Sequence, residues 1–178
     1  MVMKWNSLRY IAIAGIAVLL TFASHEFIHY LTGEILGNHM IMNLNESYPV
    51  NDVYLQDWHF TLVTATAPLF TLLQAVIFAS ILRRKDLPSL FPFLVSPVLM
   101  RCMALLATFV NPNDEARLSQ DAGLTLWTLP VIMCSLLIYL LYTVIKKNRY
   151  DKKFVFGSIL TTIIFAIALI KFNDLFLR

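Results

Sequence analysis

Residues 8–31 read LRYIAIAGIAVLLTFASHEFIHYL, an apolar run that ends in two histidines and a glutamate. The hydrocarbon core of a bilayer is about 30 Å thick, so a helix that crosses it needs about 20 mostly apolar residues. This stretch is long enough to cross. Ionisable side chains are costly inside a membrane and usually serve a function there. The stretch therefore predicts a transmembrane helix with a polar site near its end.

A secretory signal peptide would begin in the same way, because Lys4 and Arg9 precede the uninterrupted apolar residues that begin at Tyr10. However, the run is long for a signal peptide, and no convincing A-x-A cleavage site follows it. We therefore predict that this helix is retained.

The composition extends the membrane interpretation to the whole chain. Of its 178 residues, 58% are hydrophobic and 14% are charged, whereas a soluble domain has about 45–50% apolar and about 25% charged residues. A chain of this size cannot enclose so much apolar surface in one water-soluble core. We predict an all-α integral membrane protein with five transmembrane helices in a single polytopic domain, residues 1–178. The four further spans are residues 60–82, 87–110, 124–145 and 154–172.

Basic residues lie in alternate loops, which predicts the orientation. They precede the first span (Lys4, Arg9) and recur at residues 83–85 and 146–153, while the intervening loops are acidic. Since basic loops stay in the cytoplasm, we predict a cytoplasmic N-terminus, an outer C-terminus and a location in the plasma membrane. The formal charge is only +3, and the basic residues cluster in short loops, so nucleic acid is not a predicted partner.

The loop at residues 32–59 is too polar to span a membrane. Residues 40–45 partly alternate apolar and polar side chains, and residues 53–56 do so more weakly. With Asn51 and Asp52 between them, these two segments predict a short β-hairpin near the membrane surface, between the first two helices.

The end of the first span carries the motif His25-Glu26-Phe27-Ile28-His29. Residues four apart lie on one face of a helix, so both imidazoles can reach one ion. Two histidines at this spacing with a glutamate after the first are typical of a zinc hydrolase, in which the glutamate acts as general base. We predict that His25 and His29 bind one Zn²⁺ and that Glu26 is catalytic, with its carboxylate taking a proton from zinc-activated water.

A catalytic zinc usually takes three protein ligands and keeps a fourth position for water. The third ligand must lie on the same side of the membrane as the end of the first span. Residues 111–121 follow the third span on that side and hold the strongest carboxylate cluster of the outer loops. Either Asn113 or Asp114 is suited to cap a short helix there, and we predict Asp114 as the third ligand. The alternatives on this side are Glu115, Asp121, His39 and His59.

Arg101 and the two cysteines also lie inside the predicted spans. A charge as deep in the third span as Arg101 should face the bundle interior, where it pairs with a carboxylate or binds a substrate carbonyl or carboxylate. Cys102 and Cys134 lie in apolar runs without CxxC spacing, so we predict that they are packing residues.

The motifs at residues 15–121 resemble the site-2 protease family of intramembrane zinc metalloproteases. In that family one transmembrane helix carries HExxH, the next core helix opens with a small-residue stretch before a proline, and a later helix ends in an Asn/Pro segment with an aspartate ligand. The corresponding segments here are residues 25–29, residues 65–69 and Asn111-Pro112-Asn113-Asp114. Ala67 stands where the family prefers glycine, and Leu-Asp-Gly does not occur. The family commonly opens its site towards the cytoplasm, whereas the charge pattern here places the site towards the outer face.

The function that these features predict is hydrolysis of a peptide bond in a membrane protein or peptide. The metal-site core then covers about residues 8–121, with the last two helices outside it. Two alternatives stay open. The same ligands suit a zinc-dependent hydrolase of a lipid-linked amide, and they suit a non-catalytic metal-binding membrane scaffold. The sequence predicts no oligomeric state.

Overall fold

The computed structural model describes residues 8–177; Lys4, one of the residues behind the predicted orientation, lies outside them. Within this part the chain forms six α-helices and one two-stranded antiparallel sheet. Short 3-10 turns precede α2 and α3. The elements are α1 (Leu8–Ile35), β1 (Met40–Met42), β2 (Ser47–Pro49), α2 (Asp57–Arg84), α3 (Phe91–Ala107), α4 (Asp114–Asp121), α5 (Thr128–Asn148) and α6 (Lys152–Phe176).

Five of the helices are long and apolar enough to cross a membrane: α1, α2, α5, α6 and the segment Pro88–Ala107 that contains α3. Apolar surface this extensive is not suited to water. The five apolar helices are thus confirmed, and their ends fall within a few residues of the predicted ones. Large apolar side chains that stay more than half exposed on these helices include Ile16, Leu20, Leu73, Ile138 and Ile164.

The helix α3 lies at the centre of the bundle, where it contacts α1, α2, α5 and α6. Its residues Phe91, Leu94, Val95 and Val98 are buried and belong to the main apolar core. Burying side chains of this size is worth about 1.5–3 kcal/mol each. This packing fixes the position of α3 and therefore the direction in which Arg101, one turn after Val98, extends from the helix.

The hairpin between α1 and α2 is present, but its predicted second strand is wrong. The turn between β1 and β2 closes where the Asn43 N–H donates to the Glu46 carbonyl at 2.9 Å. Residues 53–56 form no strand. Asn51 and Asp52 have positive φ angles (69° and 56°) and lie in the 3-10 turn after β2. The turn that lies closer to β1 forms the hairpin, so the weakly alternating segment after Asn51 and Asp52 does not pair with β1.

The short helix α4 was predicted, and Asn113 is its cap. The Asn113 Oδ1 accepts a hydrogen bond from the Ala116 N–H at 2.8 Å. This bond satisfies one of the free N–H groups at the helix N-terminus. Since α4 also packs on α2 and α5, its first residue, Asp114, is held in a defined place beside α1.

Candidate metal centre

Regular helix geometry places His25 and His29 on the same face of α1, one turn apart. Their ring centroids are 4.8 Å apart, and the rings are almost perpendicular, at 88°. Both side chains are buried. The two imidazoles therefore share one enclosed space inside the bundle.

Hydrogen bonds to α2 orient both rings. The Nδ1 of His29 donates to the carbonyl of Val63 at 2.7 Å. The Nδ1 of His25 lies 2.9 Å from the hydroxyl of Thr71, and that hydroxyl donates to the Ala67 carbonyl, so the histidine is the donor of the pair. Metal-binding histidines are usually oriented by such a bond from their other nitrogen. In both residues Nε2 is the nitrogen left to face a ligand.

The carboxylate of Asp114 approaches both Nε2 atoms. Its Oδ2 lies 3.3 Å from Nε2 of His25 and 3.6 Å from Nε2 of His29. Zinc bonds of about 2.0–2.1 Å in a tetrahedron set ligand atoms about 3.3 Å apart. Within residues 8–177 these three side chains are the one group of at least three His, Cys, Asp or Glu residues with metal-ligand spacing. That Asp114 binds a metal stays a prediction, and the spacing fits it.

Asp114 is held in its ionised form. Burial opposes ionisation, but the positive charge of Arg101, whose Nη1 donates to Oδ2 of Asp114 at 3.2 Å, favours the carboxylate and holds the pKa of Asp114 below its ordinary value. A carboxyl group binds metal as the carboxylate. No proton therefore has to leave Asp114 when an ion binds at neutral pH.

Arg101 enters the same space from α3 and pairs with two carboxylates. Its Nη1 donates to Oδ2 of Asp114 and to both carboxylate oxygens of Glu115, each at 3.2 Å. Its Nη2 lies 3.3 Å from Nε2 of His25. Arg101 and Glu115 are only 4% and 3% exposed. The alternative ligand Glu115 thus faces the guanidinium, and the predicted pairing of Arg101 with a carboxylate is confirmed.

Glu26 borders an open cavity of about 1020 Å³ together with His25, His29 and Asp114. The hairpin contributes residues 45–49 to the cavity wall, and α2, α3, residues 111–114 and Ile170 of α6 contribute further parts of it. A cavity of this volume is large enough for a small organic ligand or a segment of a chain. A molecule that entered the cavity would therefore lie beside Glu26.

The other three candidate ligands lie elsewhere. Asp121, at the end of α4, accepts a hydrogen bond from a threonine of α2. His59, in the first turn of α2, is buried and hydrogen-bonds with Asn38, and His39 is exposed just before β1. The structure does not bring these side chains into the group formed by His25, His29 and Asp114.

The two cysteines belong to the helix packing. Cys102 of α3 is half-buried and Cys134 of α5 is buried, and both are free thiols. Their side chains contact each other across the α3–α5 interface. Neither belongs to the group of candidate metal ligands.

Sequence reasoning missed the two α2 groups that orient the histidines, the Thr71 hydroxyl and the Val63 carbonyl. A threonine in an apolar span does not by itself indicate contact with a histidine. A main-chain carbonyl is present in every residue, so the sequence cannot mark one as a hydrogen-bond acceptor. The one available signal is that Thr64 and Thr71 lie seven residues apart, on one face of the span. Both are buried, as expected for polar side chains that face the interior of a bundle of apolar helices.

No family model, curated protein or solved structure matches this chain. The relation to site-2 proteases thus stays a resemblance of three motifs.

Proposed function

We propose that the protein is an integral membrane metalloprotease that hydrolyses a peptide bond of a membrane protein or peptide, with one Zn²⁺ held by His25, His29 and Asp114. The observation that carries the proposal is the convergence of two imidazole Nε2 atoms on one carboxylate oxygen. The three atoms all offer lone pairs and therefore repel one another. The Arg101 guanidinium contacts two of them, the Asp114 oxygen and Nε2 of His25. A divalent cation satisfies the three atoms together, and nitrogen and oxygen donors suit zinc.

The charges around the group support a divalent ion. Glu26, Asp114 and Glu115 bring three carboxylates, and Arg101 brings one guanidinium. When all three carboxylates are ionised and both imidazoles are neutral, two negative charges are in excess in a largely buried region. Uncompensated buried charge costs several kcal/mol per ion. One Zn²⁺ balances the excess.

Glu26 is the catalytic base in this proposal. Its carboxylate takes the proton of the attacking water and later returns it to the leaving nitrogen. His25 and His29 keep their Nε2 atoms turned to the ion because α2 holds the opposite nitrogen of each ring. The ion, when bound, supplies Lewis-acid polarisation of the scissile carbonyl and lowers the pKa of water.

The hairpin supports a peptide as the substrate. Residues 45–49, which include β2, line the cavity that also borders Glu26. Within the described part of the chain the sheet has two strands, so β2 keeps one edge without a neighbour. An extended peptide can add to such an edge through main-chain hydrogen bonds. A peptide bound in this way lies in the same cavity as the catalytic base.

The five long apolar helices support insertion into a membrane. The basic residues 83–85 and 146–153 lie at the C-terminal ends of α2 and α5 and in the turns that follow them, up to the start of α6, whereas the site lies near the start of α2. Under the positive-inside rule this favours a cytoplasmic N-terminus and a site towards the outer face of the plasma membrane. The motif resemblance supports a distant relation to site-2 proteases.

A lipid-linked amide is the second candidate substrate. It is favoured by the apolar part of the cavity wall, where Met100, Met103, Ala107 and Ile170 lie near the polar site. A non-catalytic scaffold is less well supported, because a structural zinc site is closed by four protein ligands. Among the described residues the group of candidate ligands has three members, which leaves a position for water.

The proposal is tested with Glu26→Gln and His25→Ala in detergent-solubilised protein. We expect Glu26→Gln to keep one zinc per chain and lose ~100-fold or more of the turnover, whereas His25→Ala loses both zinc and turnover. Glu34→Gln is the matched control, since Glu34 also lies on α1 but accepts a hydrogen bond from the Met40 N–H. The readouts are metal analysis and mass spectrometry of a peptide library and an N-acyl lipid. Full activity in both test variants would refute the proposal, and cleavage of the lipid alone would favour the second candidate.

A further inference from the structure

The guanidinium of Arg101 has two sides with different partners. Glu115 and Asp114 hold Nη1, whereas the acceptor facing Nη2 is Nε2 of His25, at 3.3 Å. The Nε atom is buried and has no hydrogen-bond partner among residues 8–177. The side chain also lines the cavity that Glu26 borders. An arginine that served only as a helix-to-helix ion pair would have no need to face the cavity and a histidine nitrogen.

When a metal binds Nε2 of His25, the contact between that nitrogen and Nη2 of Arg101 must break. The Nδ1 of His25 carries the ring proton because it donates to Thr71, so Nε2 has one lone pair. That lone pair either accepts the Arg101 N–H or binds a metal, and it cannot do both. The buried Glu115 keeps Nη1 in place. An occupied metal site therefore leaves a charged N–H donor without an acceptor beside the ion, and a buried donor in that state requires a new partner.

We infer that Arg101 is a substrate-binding residue of the site, whose Nη2 and Nε donate to the oxygen of the carbonyl under attack. This inference rests on the proposed function. When the water oxygen bonds to the carbonyl carbon, the π electrons of the C=O bond move to its oxygen, and Glu26 takes the water proton. When the C–N bond then breaks, the nitrogen takes that proton. Arg101 keeps its protons throughout and stabilises the negative charge on the oxygen while it exists.

The test uses the cobalt(II)-substituted full chain, whose visible absorption reports on small molecules that enter the metal site. The two probes are inorganic phosphate, a tetrahedral oxyanion, and imidazole, a neutral metal ligand that needs no guanidinium. The variant is Arg101→Gln combined with Glu115→Gln, which removes one positive and one negative charge together. Asp114 loses its bond from Arg101 but keeps the bound cobalt as its charge partner. Arg117→Gln is the control, since Arg117 also lines the cavity but is exposed and donates to the Pro112 carbonyl.

We expect the double variant to bind cobalt, to bind imidazole within about twofold of the wild type, and to bind phosphate about 10- to 100-fold more weakly, the range for loss of a charged hydrogen bond. Arg117→Gln should change phosphate binding by less than about threefold. Unchanged phosphate affinity in the double variant would overturn the inference. So would loss of cobalt, or equal loss of both probes, because Arg101 would then only shape the site. A wild type that takes up no cobalt refutes the proposed function itself, which is a distinct result.

Discussion

Replacing Asp114 by asparagine separates metal binding from folding. The substitution keeps the size of the side chain and removes its charge. The contacts that hold α4 in place remain, namely the Asn113 cap and the pair between Glu115 and Arg101. We therefore expect the variant to fold with an unfolding temperature close to that of the wild type, and to lose affinity for zinc.

The size of the loss follows from the number of ligands. A structural zinc site contributes about 10–16 kcal/mol through four ligands, or about 3 kcal/mol for each ligand. Asp114 is also the one ionised group among the three candidate ligands, if both imidazoles are neutral. We expect zinc to bind ~10²- to 10³-fold more weakly, since about 1.4 kcal/mol corresponds to a tenfold change in affinity.

The assay is competition between the purified protein and a chromophoric chelator, at fixed pH and detergent. Asp121→Asn is the matched control, because Asp121 lies on the same helix and bonds to Thr61 instead of the histidines. The control should bind zinc as the wild type does. If Asp114→Asn kept wild-type affinity, or if Asp121→Asn lost it, the assignment of the third ligand would be refuted.

Three further predictions concern the surroundings of the site, the hairpin and the topology. Thr71→Val removes the acceptor of the His25 Nδ1–H, so zinc should bind about 10- to 100-fold more weakly in the same competition assay. Thr61→Val on the same helix should have no effect, because the Thr61 hydroxyl donates to Asp121 and not to a group that orients a histidine. Gly33→Ala places a Cβ into the side chain of Met40 and should lower the free energy of unfolding by about 1–3 kcal/mol. The smaller side chain in Met40→Ala relieves this overlap, so the changes in unfolding free energy of the two substitutions should not add up in the double variant. Reporter fusions should place the N-terminus in the cytoplasm and the C-terminus outside, and a C-terminal reporter active in the cytoplasm would rule out five spans in this orientation.

The helices could be predicted because their signal is local. Each apolar run is long enough by itself to indicate a span, and the Asn113 cap stands next to the helix that it begins. The hairpin could be predicted only in part. Several polar residues that favour turns follow β1, at residues 43–46 and again at residues 51–52, and alternation over three-residue strands is too weak to choose between them.

The candidate site could also be predicted only in part. The spacing of His25 and His29 follows from helix geometry alone, and Asp114 was favoured because it begins a short helix on the correct side. The partner of Arg101 could not be assigned, since Asp114 and Glu115 are adjacent in sequence and the choice depends on how α4 packs against α3. Thr71 lies 46 positions from His25, and no local pattern marks a hydrogen bond over that distance.

X-ray absorption at the zinc edge of the purified wild-type protein tests metal binding most directly. We expect one zinc per chain, with nitrogen and oxygen neighbours at about 2.0–2.1 Å, including the imidazole scattering of two histidines. A protein that keeps no zinc after purification and reconstitution would contradict the proposed centre, and so would a sulfur neighbour at about 2.3 Å.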